Sequence, residues 1–394
     1  MGWPKRQMAL LARRAWGGRI RPTIRRRPFR SVPRRDANPF VIRIGAIFAG
    51  RLMRSAANSY LKGIPKHKRR RYFVGGVFLL SGSLGCGFAG YYYWHLTPCP
   101  ITGRQRYLSI SRDEEIKVAQ QISKHQADSW KKEGTKCLGV DDPRVERVRD
   151  ISVRLIRALP TLELAVEQSL EDKVIESMEW SVTLVDKKVA NAHVLPNGEI
   201  YVFTGLLDMC GEGSDGDSML ANVIGHEISH ALLRHGGERL SKRNSFLAAQ
   251  SLITFMVWTL MPDNVFDVLG IRTILGMEAI QEQLLHIVLT LPNSRDQESE
   301  ADYLGLLLSS AACYDPRQAA ILWERMSKVH EGKEPPELLS THPNPSKRAV
   351  QLREWQDKAF SIQRDTCGCN SRGRPKRRSH GLTGLGQQFL SLLH

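Results

Sequence analysis

The chain of 394 residues is long enough for one large domain with an appendage, or for two domains, so a sizeable core is available. Its net charge of +17 reads as a nucleic-acid signal until it is divided: residues 1–71 hold 21 Lys and Arg against a single acid, Asp36, while the remainder carries 36 basic and 39 acidic residues. Seven cysteines, at 86, 99, 137, 210, 313, 367 and 369, form no paired Cys-x-x-Cys ligand sets, and their sparse use excludes a small disulfide-stapled fold.

Residues 1–71 are acid-poor and Arg-rich with interspersed apolar residues, as in Met8-Ala9-Leu10-Leu11-Ala12-Arg13-Arg14. That is the composition of a mitochondrial presequence followed by a basic, proline-containing linker. The alternative is a disordered nucleic-acid-binding arm, but no aromatic-plus-basic module or recognition helix follows it. The composition then switches: Tyr72–Trp94 is 23 uncharged residues, enough at 1.5 Å per residue to cross a bilayer of about 30 Å. Lys66, Lys68, Arg69, Arg70 and Arg71 precede this span, and Tyr91, Tyr92, Tyr93 and Trp94 close it as an aromatic belt. The positive-inside rule puts the N-terminus on the more negative side, which for an inner mitochondrial membrane is the matrix. The body would then face the intermembrane space.

After Pro98 and Pro100, helical patterns are expected from Asp113 to about Gln126 and from Pro143 to Leu159. Trp180–Val185 and Ile200–Thr204 read as short strands, separated by a stretch whose Pro196-Asn197-Gly198 marks a turn. Next comes Val223-Ile224-Gly225-His226-Glu227-Ile228-Ser229-His230-Ala231-Leu232-Leu233. His226 and His230 stand on one helix face, so both imidazoles reach one cation, and Glu227 leans toward the same place. This is the zinc-hydrolase pattern H-E-x-x-H, in which a water on the metal has a pKa near 7 and the glutamate is its base. The bland alternative is a core helix with two hydrogen-bonded histidines.

Two histidines leave zinc short of a protein ligand, so a carboxylate, histidine or cysteine is needed downstream. Ser294–Leu307 offers Glu298 and Asp302 at i and i+4, with Ala301 small enough for close helix approach. Glu298 is assigned to the metal, and Asp302 behind a zinc histidine, accepting its free N–H. Glu300 is turned about 200° away from Glu298 and is not expected to share the site. A solvated helix start favoured by the dipole is the competing account of this acidic cluster. Cys210 is expected as a buried thiol rather than a fourth ligand. The apolar run Phe246–Met261, echoed at Ile287–Leu291, fits a core, interfacial or re-entrant segment, with membrane contact favoured. Beyond 357 a flexible basic tail is expected, with Cys367 and Cys369 exposed in it.

His226-Glu227-Ile228-Ser229-His230 with Arg234-His235-Gly236, then Glu298-Ser299-Glu300-Ala301-Asp302, then Ser340-Thr341-His342-Pro343 followed by Arg348, together resemble the membrane-associated metallopeptidases that include HtpX and the C-a-a-X prenyl protease. Asn191–Gly198 and Ile200–Leu206 are similar to that family's strand before the zinc helix, and Thr102-Gly103-Arg104 after a single span points to its mitochondrial inner-membrane branch. The resemblance covers roughly residues 97–357. It implies a gluzincin-type fold, α+β but mainly α, with a small β-sheet beside the HExxH helix and one transmembrane helix before it. It implies His226, His230 and Glu298 as ligands of one Zn2+ per chain, Glu227 as acid/base, and His342 near the metal, where a histidine can donate to the oxyanion of the tetrahedral intermediate. Arg348 would pair with an acid to hold its loop.

The expected organisation is a presequence and linker at 1–71, a span at 72–94, a peptidase domain at 97–357 and a tail at 358–394. The expected partners are membrane-protein substrates and inner-membrane lipid, with self-association left open and nucleic acid excluded. No Gly-x-x-x-x-Gly-Lys-Ser/Thr loop occurs, so ATP-driven unfolding is not expected. The resemblance also implies membrane-protein quality control and processing of a dynamin-like fusion GTPase. The rival reading is a catalytically silent membrane scaffold retaining the fold.

Overall fold

The computed structural model describes residues 39–166, 174–175, 177–260, 294–329, 342 and 345–367. The chain divides into two units between Ile42 and Arg43, and the second holds both sheets and the motif helix. The first helix among the described residues, α1 (Pro39–Tyr60), falls where a linker was expected. Ile47 on it is buried, and Arg54 donates to the Leu260 carbonyl at 2.9 Å, so tertiary contact gives this basic segment a fixed conformation. A single helix, α2 (Lys66–Trp94), takes in both the basic cluster and the apolar run, and is long and apolar enough to cross a membrane. Its apolar window is almost wholly exposed, whereas a soluble core helix of this length would be buried.

A hairpin of two three-residue strands follows at once, β1 (Leu96–Pro98) and β2 (Gln105–Tyr107), too short for a sequence pattern to show. Gly103 in its turn has φ 68°, a conformation that glycine adopts without penalty. Tyr107 stacks on Tyr92 with ring centroids 4.6 Å apart, joining the hairpin to the end of α2. Helices α3 (Arg112–Glu133) and α4 (Pro143–Val166) each run a turn or more beyond their expected ends. Ser111 and Glu114 form a capping box that starts α3, and Gly134 in the left-handed region ends it. On α4, Val148, Ile151, Leu155, Leu159 and Leu162 are buried at helical spacing, each such side chain contributing about 1.5–3 kcal/mol.

Three strands make the sheet, in the order β3 (Ser181–Val185), β5 (Glu199–Phe203), β4 (Ala192–Val194). β3 runs parallel to β5 with Leu184 opposite Val202, and β4 is antiparallel to it with Ala192 opposite Val202. β4 is therefore an edge strand, and it packs against the helix that carries the HExxH motif. A short α5 (Thr204–Cys210) leads to that helix, α6 (Gly213–Leu232), which is buried over its last two-thirds. Cys210 is buried, as expected, and burial lifts its thiol to about 12.

α6 ends at Leu232, and Arg234 in the turn after it is a non-glycine residue with φ 55°. Such a conformation needs outside support, and here the buried guanidinium bonds to Glu115 of α3 at 3.1 Å. The chain turns there into α7 (His235–Leu260), which packs against α2 and exposes Phe246, Ile253 and Val257. The expected apolar run is thus the second half of one long helix, while Ile287–Leu291 lie outside the described residues. Helix α8 (Arg295–Ala311) begins with a second capping box, Ser294 with Gln297, and crosses α6 closely.

Helices α9 (Arg317–Val329), α10 (Pro345–Glu354) and α11 (Gln356–Cys367) complete the body. α11 corrects the expected tail boundary: Ala359 and Ile362 are buried, so residues 358–367 belong to the fold. Cys367 is disulfide-bonded to Cys313 after α8, a pairing that the spacing of 54 residues did not disclose.

Candidate active site

His226 and His230 lie one turn apart near the end of α6, with ring centroids 4.6 Å apart and Nε2 atoms 3.0 Å apart. The α6–α8 crossing brings Glu298 to them. A Cβ on Gly305 would stand 2.7 Å from the His226 backbone nitrogen, so only glycine lets the two backbones approach this closely. Two turns earlier on α8, Glu298 places its carboxylate oxygens 3.5 Å from His226 Nε2 and 3.4 Å from His230 Nε2. His342 Nδ1 sits 2.8 Å from Glu298 Oε2 and 3.3 Å from His226 Nε2. One donor atom from each of these four residues lies within 4.8 Å of the others. Glu227 borders the cluster, its buried Oε1 making no hydrogen bond and standing 3.3 Å from His342 Nε2.

The surroundings fix these side chains. Asp302 Oδ1 is 3.0 Å from His226 Nδ1, the outer nitrogen of that ring, where the sequence expectation placed it. Arg348 holds Asp302 with two hydrogen bonds, at 2.6 and 2.5 Å, and reaches Glu298 at 2.9 Å, while its guanidinium lies 3.5 Å over the Trp323 ring. Arg348 thus pairs with two acids rather than one. Glu300 stays out of the cluster, as helix geometry requires, but it has a task of its own: its Oε2 is 3.1 Å from His235 Nε2, and His235 Nδ1 is 2.7 Å from His230 Nδ1. Arg104 bridges Glu300 to Glu238 with contacts of 2.9–3.0 Å, and Gln297 donates to Glu238 at 3.0 Å. Sequence reasoning missed the roles of His235, Arg104 and Glu238. The signal for His235 was its place three residues beyond the end of the motif helix, and for Arg104 its place in the Thr-Gly-Arg turn.

Electrostatically the cluster calls for positive charge. Burial alone would raise Glu298, but His342, His226 and His230 outweigh it and hold the carboxylate far below its ordinary range. Burial and Arg348 would lower His226, yet its bonds to Asp302 and Glu298 lift it to about 9. Burial drives His230 well below its ordinary value against the pull of Glu298, and it raises Glu227 against His342 and His226. Two imidazole Nε2 atoms 3.0 Å apart repel unless a proton or a cation stands between them. With Glu298 against both and Glu227 Oε1 unsatisfied beside them, this donor set fits a bound divalent metal.

Residues 160–356, which include all four donors, match peptidase family M48. The chain is similar to the mitochondrial metalloendopeptidase OMA1 of Saccharomyces cerevisiae, 29% identical over 80% of this chain and 82% of the relative. It is 33% identical to that of Schizosaccharomyces pombe over 74% of this chain and 75% of the relative. The human metalloendopeptidase OMA1, mitochondrial, is 30% identical over 76% of this chain, which spans about half of that longer protein. With the four donors, Glu227 and the α6–α8 crossing all inside the matched region, the chain belongs to peptidase family M48 and is a metallopeptidase.

Proposed function

We propose that the chain is a zinc-dependent, ATP-independent endopeptidase of the mitochondrial inner membrane, anchored by α2 with its catalytic body in the intermembrane space. The observation that carries this reading is the buried four-donor cluster with the unsatisfied carboxylate oxygen of Glu227 beside it. His226, His230 and Glu298 form the nitrogen-and-oxygen set that suits zinc with an open position. When bound, the metal supplies Lewis acidity and lowers the pKa of a water to about 7.

The chain's own residues do the rest. Glu227 takes the proton of the attacking water and returns it to the leaving amine, and its burial-raised carboxyl suits both steps. His342, with Nε2 toward Glu227 and Nδ1 toward Glu298, is placed to donate to the developing oxyanion. Asp302 and Arg348 keep His226 in position. The edge strand β4, packed on α6, can pair with an extended substrate backbone and bring a scissile carbonyl over the cluster.

With no nucleotide loop, substrates are flexible or membrane-proximal. Three relatives are named as mitochondrial metalloendopeptidases, which supports the compartment. The basic cluster before α2 supports the orientation, and the exposed face of Phe246, Ile253 and Val257 beside α2 supports contact of α7 with the bilayer. By resemblance the substrates are misfolded membrane proteins and a dynamin-like fusion GTPase, in quality control and stress response.

The test is cleavage of a loosely folded membrane protein by the detergent-purified chain beside Glu227→Gln, with bound metal quantified in both. The variant should lose about 10²–10⁴-fold in rate and keep about one zinc. Equal rates in the two forms would remove Glu227 from the mechanism, and absence of cleavage by either in liposomes as well would leave a scaffold. External protease on mitoplasts should degrade the body; survival of the body would reverse the orientation.

A further inference from the structure

His226 and His230 are supported in different ways. The outer nitrogen of His226 meets a carboxylate directly, at Asp302. That of His230 meets another histidine: His230 Nδ1 and His235 Nδ1 are 2.7 Å apart, both rings buried. Two like atoms at that distance share one proton, and the chemistry of the site dictates whose it is. A nitrogen that ligates a metal carries no proton, so a metal at His230 Nε2 leaves the proton on Nδ1, which becomes the donor. His235 Nδ1 must then accept, and the proton of the neutral His235 ring sits on Nε2. That atom faces Glu300 Oε2 at 3.1 Å, an acceptor. The tautomer of each ring is therefore set by the next group outward.

Glu300 is held in turn. Arg104 donates to both of its oxygens, at 3.0 and 2.9 Å, and the Thr102 hydroxyl donates to Oε1. Arg104 also forks onto Glu238 at 3.0 and 2.9 Å, which fixes the guanidinium from a second side. Thr102 and Arg104 lie in the turn between β1 and β2, directly after α2, and Arg106 of the same hairpin donates to the Leu233 carbonyl at the end of α6. Every step from the hairpin at the end of the membrane helix to the ligand ring is thus a hydrogen bond between named atoms.

We propose that His235, Glu300 and Arg104 form an ordered donor relay that positions the metal ligand His230, with Arg104 making the setting of that ligand depend on the hairpin joined to the membrane helix. The relay rests on the proposal that the cluster binds zinc. These are positioning residues, since none of their atoms belongs to the ligand cluster. An ordinary packing role for the His235 ring is the alternative, and side-chain chemistry separates the two. The Gln amide can accept from His230 through its oxygen and donate to Glu300 through its nitrogen, whereas Phe fills the same space with neither.

The experiment uses the full chain in detergent. Zinc affinity is measured by competition with a chromophoric chelator, and the visible spectrum of the Co2+-substituted protein reports ligand geometry. His235→Phe should weaken zinc by about 10–100-fold and shift the cobalt bands, while His235→Gln stays near wild type. Arg104→Gln should weaken zinc in the same direction by a smaller factor, with Arg104→Lys recovering part of the loss. Wild-type affinity and spectrum in His235→Phe would overturn the relay, and so would equal losses in the Phe and Gln variants, which would make ring packing the cause. If His235→Phe does not fold, the Arg104 pair decides, since unchanged zinc affinity in Arg104→Gln would overturn the link to the hairpin. A wild-type chain that binds no zinc would overturn the metal reading and the relay with it, an outcome separate from the others.

Discussion

The α6–α8 crossing and the long apolar helix α2 both depend on glycine, in opposite ways. At the crossing, a Cβ on Gly305 would meet His226 backbone atoms at 2.7 and 2.8 Å, and one on Gly225 would meet the Gly305 carbonyl oxygen at 3.1 Å. In α2, a Cβ on Gly75, Gly76, Gly82, Gly85, Gly87 or Gly90 would meet nothing within 4 Å. In the first place the missing side chain lets the two helices that carry His226, His230 and Glu298 touch. In the second it thins a helix at positions that face no other described element of this chain. Composition alone does not separate these uses; what lies across from each glycine does.

Gly305→Ala is the strongest way to break the comparison. The atoms in the way are backbone, which cannot rotate aside, so α8 has to move and Glu298 moves with it. A cost near the upper end of about 1–3 kcal/mol is expected, together with weaker zinc binding. Thermal unfolding with and without zinc measures both, because a ligand that binds only the folded state raises the midpoint. An unchanged midpoint and an unchanged zinc increment would mean that the crossing has slack.

A smaller effect, gated by pH, comes from the network behind the crossing. Burial would raise Glu238, but hydrogen bonds from Arg104, Lys242 and Gln297 hold it at about 2, below its ordinary 4.5. A carboxyl whose folded pKa is depressed contributes fully above its unfolded value and loses that contribution as pH falls toward the folded one. The stability gap between wild type and Glu238→Gln should therefore be constant above about pH 4.5 and close between there and about pH 2. Because Lys242 is half exposed and Arg104 partly so, the gap should be of the order of 1 kcal/mol. Urea unfolding across that window measures it, and a gap of full size at about pH 2.5 would show that the charge of Glu238 is not its source.

The parts legible in the sequence are those whose cause is local. His226 and His230 share a face because a helix repeats every 3.6 residues, and Glu298 with Asp302 follows from the same period and from a metal that needs a third ligand. The span at α2 follows from length and charge. What was not legible depends on partners far along the chain or on elements too short to show a period. Arg104 meets Glu300 across 196 residues, and Cys313 meets Cys367 across 54. His235 stands five residues from His230, but it comes back to it only because Arg234 takes a left-handed turn that Glu115 of α3 supports. Strands β1, β2 and β4 have three residues each, fewer than an alternation needs. α1 was hidden by its basic residues, and its helix is explained by contacts with Thr259 and Leu260 rather than by its composition.

The smallest expected effect belongs to the other half of the comparison. In Gly82→Ala the new methyl meets no atom of the described residues within 4 Å, and alanine is the better helix former by about 0.5–1 kcal/mol in water. In a bilayer, where helicity is already enforced by the absence of backbone partners, even that gain shrinks. Activity, zinc content and membrane retention should all match wild type. Gly82, Cys86 and Gly90 nevertheless share a spacing of four, the pattern by which membrane helices approach one another. If Gly82→Ala lowers activity in liposomes while zinc stays bound, the methyl has met the backbone of another helix. The α2 glycines would then serve the same purpose as Gly225 and Gly305, and both helix systems would use a missing side chain to bring two backbones together.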